Sequence, residues 1–359
     1  MAMTISGFAA VDRVSEAASQ LRARLADQTR QTSGGQRAAT YAGLGADARR
    51  AIDLRSEVAR HESLARAAER GEARAAVTQS ALSRISSITT DMVATATALL
   101  SGGATQVSAA AIGARSALRE VTGMINERFQ GESLFGGADL DGTPIPGRVE
   151  DGNLFAAIKD AMKGMPPGGG TALRGTMRDL GASNDPAITP FSAYATAAAT
   201  GEIEDSLASV PVSEGGAVEI GLYPNRNAGA TPSKDADSTG SWARDLIYSL
   251  SVIANLDQLG TTGGADYQQI VTGALGALRA GLSGVSDEAA GLGTAEQRLS
   301  DSRVRHNDLA TQLEGQLSEV EGVDLAEAIS RAQATQTQLE ASYRSLAMLS
   351  NLSLTKFLG

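Results

Sequence analysis

All nine prolines of this 359-residue chain fall between Pro144 and Pro232, leaving 143 residues before them and 127 after them without one. Proline lacks the N–H that a helix interior needs, and its ring clashes with the preceding turn. Both flanks are therefore free to form long helices, and the middle is not. The organisation implied is helix, insert, helix. It divides into 1–45, a terminal helix and connector; 46–133, the first part of a helical rod; 134–240, a variable β-containing domain; 241–320, the second part of the rod; and 321–359, a second terminal helix.

The flanks carry helical periodicity. Val11, Val14, Ala18, Leu21, Leu25, Gln28 and Thr32 alternate by three and four, one stripe of a helix. A break follows at Thr32-Ser33-Gly34-Gly35, and Tyr41-Ala42-Gly43-Leu44-Gly45 has too many glycines for a helix interior, so a connector sits there. The pattern resumes from about Ala46 to Leu100, with Ala81, Ile85, Ile88, Met92, Thr95 and Leu99 on one face. A third helix is predicted from about Gln106 to Phe129, with Leu118, Val121 and Ile125 aligned. Beyond the insert, Trp242 to Leu259 reads as a helix, followed by a glycine-rich break and a long run from about Tyr267. At the end, Leu325, Ile329, Ala332, Gln336, Leu339, Tyr343 and Leu346 alternate by four and three. Both terminal stripes use Ala and Gln where a self-sufficient zipper uses Leu or Ile, so each needs a partner helix, and the other end is the partner expected. Residues 1–50 hold seven Arg and four acids, and residues 301–359 hold eight acids and five Arg or Lys, a complementarity that salt screens.

The middle holds clusters such as Met165-Pro166-Pro167-Gly168-Gly169-Gly170 and Tyr223-Pro224-Asn225, and short strands between turns are expected there. Val210 to Leu222 alternates on both sides of Glu214-Gly215-Gly216, a candidate hairpin with Ala217, Val218 and Ile220 on one strand. The fold class expected is mainly α: an elongated antiparallel helical bundle or coiled coil built from both chain ends, with a central Pro/Gly-rich domain containing short β strands.

Composition removes many activities. Cysteine is absent and His61 and His306 are the only histidines, which leaves almost no material for disulfides, zinc clusters or thiol catalysis. A net charge of -10 argues against nucleic acid as a partner. No run of about 18 apolar residues supports membrane insertion. Met1 to Leu21 lacks the basic start and apolar core of a cleaved signal peptide. His61-Glu62 opens like a zinc-protease helix, but Ala65 stands where the second histidine belongs. No nucleophile elbow or phosphate-binding loop occurs, Gly43-Leu44-Gly45 is an isolated fragment, and Glu319 with Glu321 reads as a solvated helix face. Catalytic, cofactor and metal residues are therefore all expected to be absent, and the chain is read as not an enzyme.

The C-terminal runs Val323-Asp324-Leu325-Ala326-Glu327-Ala328-Ile329, Gln336-Thr337-Gln338-Leu339-Glu340-Ala341-Ser342-Tyr343 and Leu352-Ser353-Leu354-Thr355-Lys356-Phe357-Leu358 resemble the terminal helix of bacterial flagellins and of the flagellin-like hook-associated protein 3. The N-terminal half is compatible, with Asp53-Leu54-Arg55 and Gln79-Ser80-Ala81-Leu82 on its long helix. Tyr41-Ala42-Gly43-Leu44-Gly45-Ala46-Asp47 departs from the flagellin signature at that place, and Leu134-Phe135-Gly136-Gly137 looks like the hook-associated protein's entry into its variable domain.

The resemblance implies a structural subunit exported unfolded through the flagellar type III apparatus, without a cleaved signal peptide, to the hook–filament junction outside the cell. Segments 1–45 and 321–359 would be its assembly helices. Self-association in a helical array, a neighbouring hook-associated protein, flagellin and an export chaperone are the partners implied. The assembly seam expected comprises Val11, Val14, Leu21, Leu25, Leu325, Ile329, Leu339, Tyr343 and Leu346. A flagellin-type filament subunit and a cytoplasmic coiled-coil scaffold stay open as alternatives. An enzyme housed in the insert would need residues such as Asp151, Lys159 or Tyr194 to converge.

Overall fold

The computed structural model describes the backbone of residues 2–101, 104–202, 206–259 and 263–357, and the side chains of residues 12–101, 106–202, 206–259 and 263–348. In chain order the elements are α1 (Ala2–Gly34), a 3-10 turn (Tyr41–Asp47), α2 (Ala48–Leu99), α3 (Ala104–Ile125), β1 (Arg128–Phe129), β2 (Glu132–Ser133), α4 (Asn153–Lys163), α5 (Gly170–Ala182), α6 (Ala193–Thr200), β3 (Ser209–Ser213), β4 (Gly216–Glu219), α7 (Trp242–Ala254), α8 (Ala265–Glu321) and α9 (Leu325–Phe357). The fold is mainly α, with two small antiparallel sheets among the described residues. The chain forms two compact units. One combines Met1–Ser63 with His306–Gly359, and the other is Leu64–Arg305.

In the second unit the core is continuous. The expected stripe of α2 is its floor: Ala81, Ile85, Ile88, Met92 and Leu99 are buried together with Leu118, Val121 and Ile125 of α3. At its centre lies α7, in which every residue from Trp242 to Ala254 is buried. A helix enclosed on all sides needs neighbours that approach closely. Two glycines of α8 provide that approach, since a Cβ on Gly281 would sit 2.6 Å from a Leu246 methyl carbon and one on Gly284 would sit 2.7 Å from the Trp242 Cβ.

The enclosed helix carries two charges, each matched to the backbone around it. Arg244 donates from Nε to the Asn225 carbonyl at 2.6 Å, and from Nη1 to the Ala182 and Ser183 carbonyls at 2.7 and 3.0 Å. Those last carbonyls lie at the C-terminal end of α5, where a cation is favoured. Burial pushes its guanidinium down to about 10, which leaves it charged at neutral pH. Asp245 accepts from the Thr239 N–H at 2.6 Å and from the Thr239 hydroxyl at 2.7 Å, fixing the turn that leads into α7.

Three differences from the sequence reading have physical causes. The third helix ends at Ile125, short of Phe129, because the Asn126 side chain closes it by exchanging two hydrogen bonds of 2.9 Å with the Ile145 backbone. Arg128 and Phe129 instead pair with Ser133 and Glu132 around a turn in which Gln130 and Gly131 have φ of 52° and 89°. The run from Trp242 is helical only to Ala254, beyond which a short 3-10 turn covers Leu256–Gln258. The insert also contains three helices where short strands were expected. Its prolines stand between these helices and not inside them, so α4 runs from Asn153 to Lys163 between Pro146 and Pro166 and buries Leu154, Phe155, Ile158 and Met162 on one face. The expected hairpin is present as β3 and β4, with Val210 opposite Val218 and Gly215 at φ 79° in its turn.

The entry into the insert also has a packing reason. Leu134 and Phe135 are fully buried, and the Phe135 ring meets the Trp242 indole edge-on at 6.1 Å. Gly136 has no room for a Cβ, which would lie 2.2 Å from the Asp139 carbonyl, and Gly137 turns the chain at φ 65° and donates its N–H to the Leu222 carbonyl.

Burial raises the Asp245 carboxyl from 3.8 to about 6, against the lowering effect of its bonds to Ser238 and Thr239. A folded-state value above the unfolded one means that the neutral acid is the form the fold prefers. Its stabilisation is complete below 3.8 and is lost as the pH rises through about 6, a swing of ~3 kcal/mol. Asp245→Asn cannot ionise, so thermal melting between pH 4 and 7 should show the variant gaining on the wild type as the pH rises through 6. A difference independent of pH would mean that the buried carboxylate ionises without cost.

Candidate assembly surface

In the first unit α1 and α9 run antiparallel. Gly35 accepts from the Val323 N–H at 3.0 Å at one end of the pair, and the Arg22 side chain meets Tyr343 further along. The inward face of α1 is the stripe read from the sequence: Ala18 is buried, and Val14, Leu21, Leu25 and Gln28 are half-buried. Val11 belongs to the same series, but its side chain lies outside the described residues.

The inward face of α9 is turned relative to the expected stripe. Ala328, Thr335 and Leu339 are buried, and Ala332, Ser342 and Leu346 are half-buried, again in steps of four and three. This series shares Ala332, Leu339 and Leu346 with the one read from the sequence. It takes Ala328, Thr335 and Ser342 as the alternate members in place of Ile329, Gln336 and Tyr343. Leu325, Ile329 and Tyr343 are therefore left 49%, 48% and 40% exposed. The apolar face of α9 is wider than one partner helix covers, and α1 occupies the half built from small side chains. Nothing in the spacing distinguishes the two halves; only the size of the residues does, because helices close up where Ala, Ser and Thr line the contact.

Two of the charges noted at the ends pair within their own helices. Arg30 pairs with Asp27 within α1, and Arg331 pairs with Glu327 within α9. Tyr343 is held differently, with the Arg22 guanidinium 5.1 Å from its ring centre and bonded to its hydroxyl.

The connector between α1 and α2 is tied to the turn between α8 and α9. The Arg37 N–H donates to the Glu321 carbonyl at 2.7 Å, closing a two-residue antiparallel bridge with the Gly35 contact. On the side chain of Glu321 the Arg55 guanidinium sits at 2.6 Å while lying over the Tyr41 ring at 5.5 Å. Beneath these polar contacts Leu44, Ala51, Leu54 and Val320 form a small core of their own. Gly45 enters α2 at φ 58° and ψ -119°, a combination open to glycine alone.

Asp151, Lys159 and Tyr194 do not converge. Asp151 is exposed beside Arg148, and Lys159 and Tyr194 stand on α4 and α6 with no side-chain hydrogen bond or ion pair among the described residues. Among the described residues no group of three or more His, Cys, Asp or Glu side chains is placed to hold a metal ion, and no helix is long and apolar enough to cross a membrane.

Gly45→Ala should strain the connector by about 1–3 kcal/mol. Limited trypsin digestion would read this at Arg37, where cleavage is expected to be about tenfold faster than in the wild type when opening precedes cleavage. An unchanged rate at that bond would mean that the connector does not depend on the glycine conformation.

Comparison with known proteins places both flanks. The bacterial flagellin N-terminal helical region matches residues 6–139, and the bacterial flagellin C-terminal helical region matches residues 275–358. Together they span more than half of the chain and leave 140–274 unmatched. No curated protein sequence matches it. A solved structure described as that of a flagellar hook-associated protein from Vibrio parahaemolyticus is similar over 77% of this chain and 97% of that one, at 10% identity and a TM-score of 0.49, a likeness too low to bear on function. Matched on both sides of its insert by the flagellin helical regions, the chain belongs to the bacterial flagellin family.

Proposed function

We propose that this subunit joins hook to filament and polymerises through its paired terminal helices. Membership of the flagellin family makes it a structural component of the bacterial flagellum, extracellular and part of a polymeric assembly. That membership displaces the cytoplasmic scaffold as a reading.

The observation that carries the assembly mechanism is the half-face of α9 that α1 leaves partly exposed, with Tyr343 on it held by Arg22 of α1. Leu325, Ile329 and Tyr343 expose apolar surface whose burial against a neighbouring copy would be favourable, by about 25 cal/mol per Å² removed from water. In this reading the seam divides: Val14, Leu21, Leu25, Leu339 and Leu346 hold the chain's own ends together, and Leu325, Ile329 and Tyr343 meet other subunits. Segments 1–45 and 321–359 are then the assembly helices, 46–133 and 241–320 the rod, and 134–240 the outward domain.

The junction role is supported by Leu134-Phe135-Gly136-Gly137, whose resemblance to the hook-associated entry motif now has a packing rationale. One surface would match a hook-side neighbour and the other would template flagellin, after export of the unfolded chain with a chaperone. The matches to flagellin's own helical regions favour a second reading, a filament subunit.

A deletion strain separates the two by electron microscopy and assay of the medium. Hooks without filaments, with flagellin lost to the medium, are expected for a junction protein; loss of the filament subunit with an intact junction would make it a filament protein. At residue level, Ile329→Asp should abolish incorporation while leaving monomer melting within about 0.5 kcal/mol of wild type, as for an exposed site. Leu339→Asp should loosen the α1–α9 pair itself, seen as lost helical signal in the monomer. Equal effects of both on the monomer would remove the distinction drawn here.

A further inference from the structure

We propose that His61 and His306 form a proton-sharing clip between α2 and α8 that acid breaks. They are the only two histidines of the chain, 245 positions apart, and the fold brings their Nδ1 atoms to 2.9 Å. The ring centres are 5.1 Å apart and the planes are inclined by 28°. The separation of the centres exceeds that of the nitrogens by nearly two ring radii, the most that geometry allows. The two Nδ1 atoms therefore lie close to the line joining the centres, and the rings meet edge to edge and not face to face.

In that arrangement the in-plane orbital of each Nδ1 points at the other. A contact of 2.9 Å between them requires one N–H and one bare lone pair, so a single proton lies between the rings. The geometry disfavours a metal ion, which needs the two lone pairs to converge on a third point. His306 is buried and His61 half-buried, so water does not readily replace either partner.

The bond survives whether the pair is neutral or carries one additional proton on an outer Nε2. Protonating both rings sets N–H against N–H and charge against charge, and the bond is lost. The charged residues nearest to the two histidines along their own helices are Glu57, Arg60, Glu62 and Arg66 on α2 and Arg303, Arg305 and Asp308 on α8. Arg60 is 3.6 Å from Glu57, and Arg303 is 2.9 Å from Glu72. Acidification thus loosens α2 from α8 in the unit that holds the terminal helices, where the same two helices are also joined by the Arg55–Glu321 pair.

Asp245, in the other unit, is pushed up to about 6 and also changes charge on acidification, so the test needs a local readout. Hydrogen exchange of the full chain, corrected for the intrinsic pH dependence, is followed between pH 8 and 5 at the amides flanking positions 61 and 306. Protection there should fall about three- to tenfold in the wild type, the worth of one hydrogen bond, and should not change in the His61→Asn/His306→Asn variant. In the unmodified protein, long-range ¹H–¹⁵N spectra at pH 8 should show one protonated and one bare Nδ1. Two bare Nδ1 atoms, an equal response in the double variant, or protection restored by added zinc in acid would each overturn the proposal, the last in favour of a metal clip.

Discussion

Neither terminal helix can bury its apolar stripe without the other, and the arrangement of the first unit follows from that. An isolated helix of this composition is marginal in water, because small side chains remove little apolar surface. The partnership between α1 and α9 resolves the problem by close approach through Ala18, Ala328 and Thr335, with Leu339 the largest side chain buried in the contact among the described residues. The backbone bridge between Gly35 and Val323 fixes the register at one end, so the pair cannot slide by a turn without breaking it.

The second unit meets the opposite demand. Its central helix has no face left for solvent, and it carries an arginine and an aspartate into the core. Both are tolerated because backbone groups answer them: carbonyls at the end of α5 for Arg244, and the amide and hydroxyl of Thr239 for Asp245. Elsewhere the same device recurs, with Glu288 of α8 accepting the amides of Ala228 and Gly229 at 2.7 and 2.9 Å, and Asp266 accepting those of Gly168 and Gly170. The glycine cluster at 168–170 thus cradles a carboxylate of the chain itself. Loops without regular structure are fastened to the helices by single acidic side chains.

Much of this was legible in the sequence because it depends on what a residue forbids. The confinement of proline outlined both helical flanks, and the three-four spacing of Val14, Ala18, Leu21 and Leu25 identified the buried face of α1. The insert was harder, since its prolines bracket α4, α5 and α6 and resemble a loop-rich region when counted together. The buried face of α9 was half legible. Ala332, Leu339 and Leu346 belong to both series, but choosing between Ala328 with Thr335 and Ile329 with Gln336 depends on the closeness of α1, which spacing does not encode. The meeting of His61 with His306 leaves no local trace at all, because it is a contact between residues 245 positions apart.

The order in which the chain can acquire its structure is set by the way its units are interleaved. Residues 64–305 lie wholly between the two pieces of the first unit, whose members reach from one end of the chain to the other. The core of the inner unit already joins Ala68 to Leu299. Contacts of such separation cannot form until both participants are present, so a chain delivered from either end remains without its core until most of its length has arrived. The inner unit can close first, and the outer one only when the last helix is available. The paired surface of α1 and α9 is in consequence absent until both helices are present.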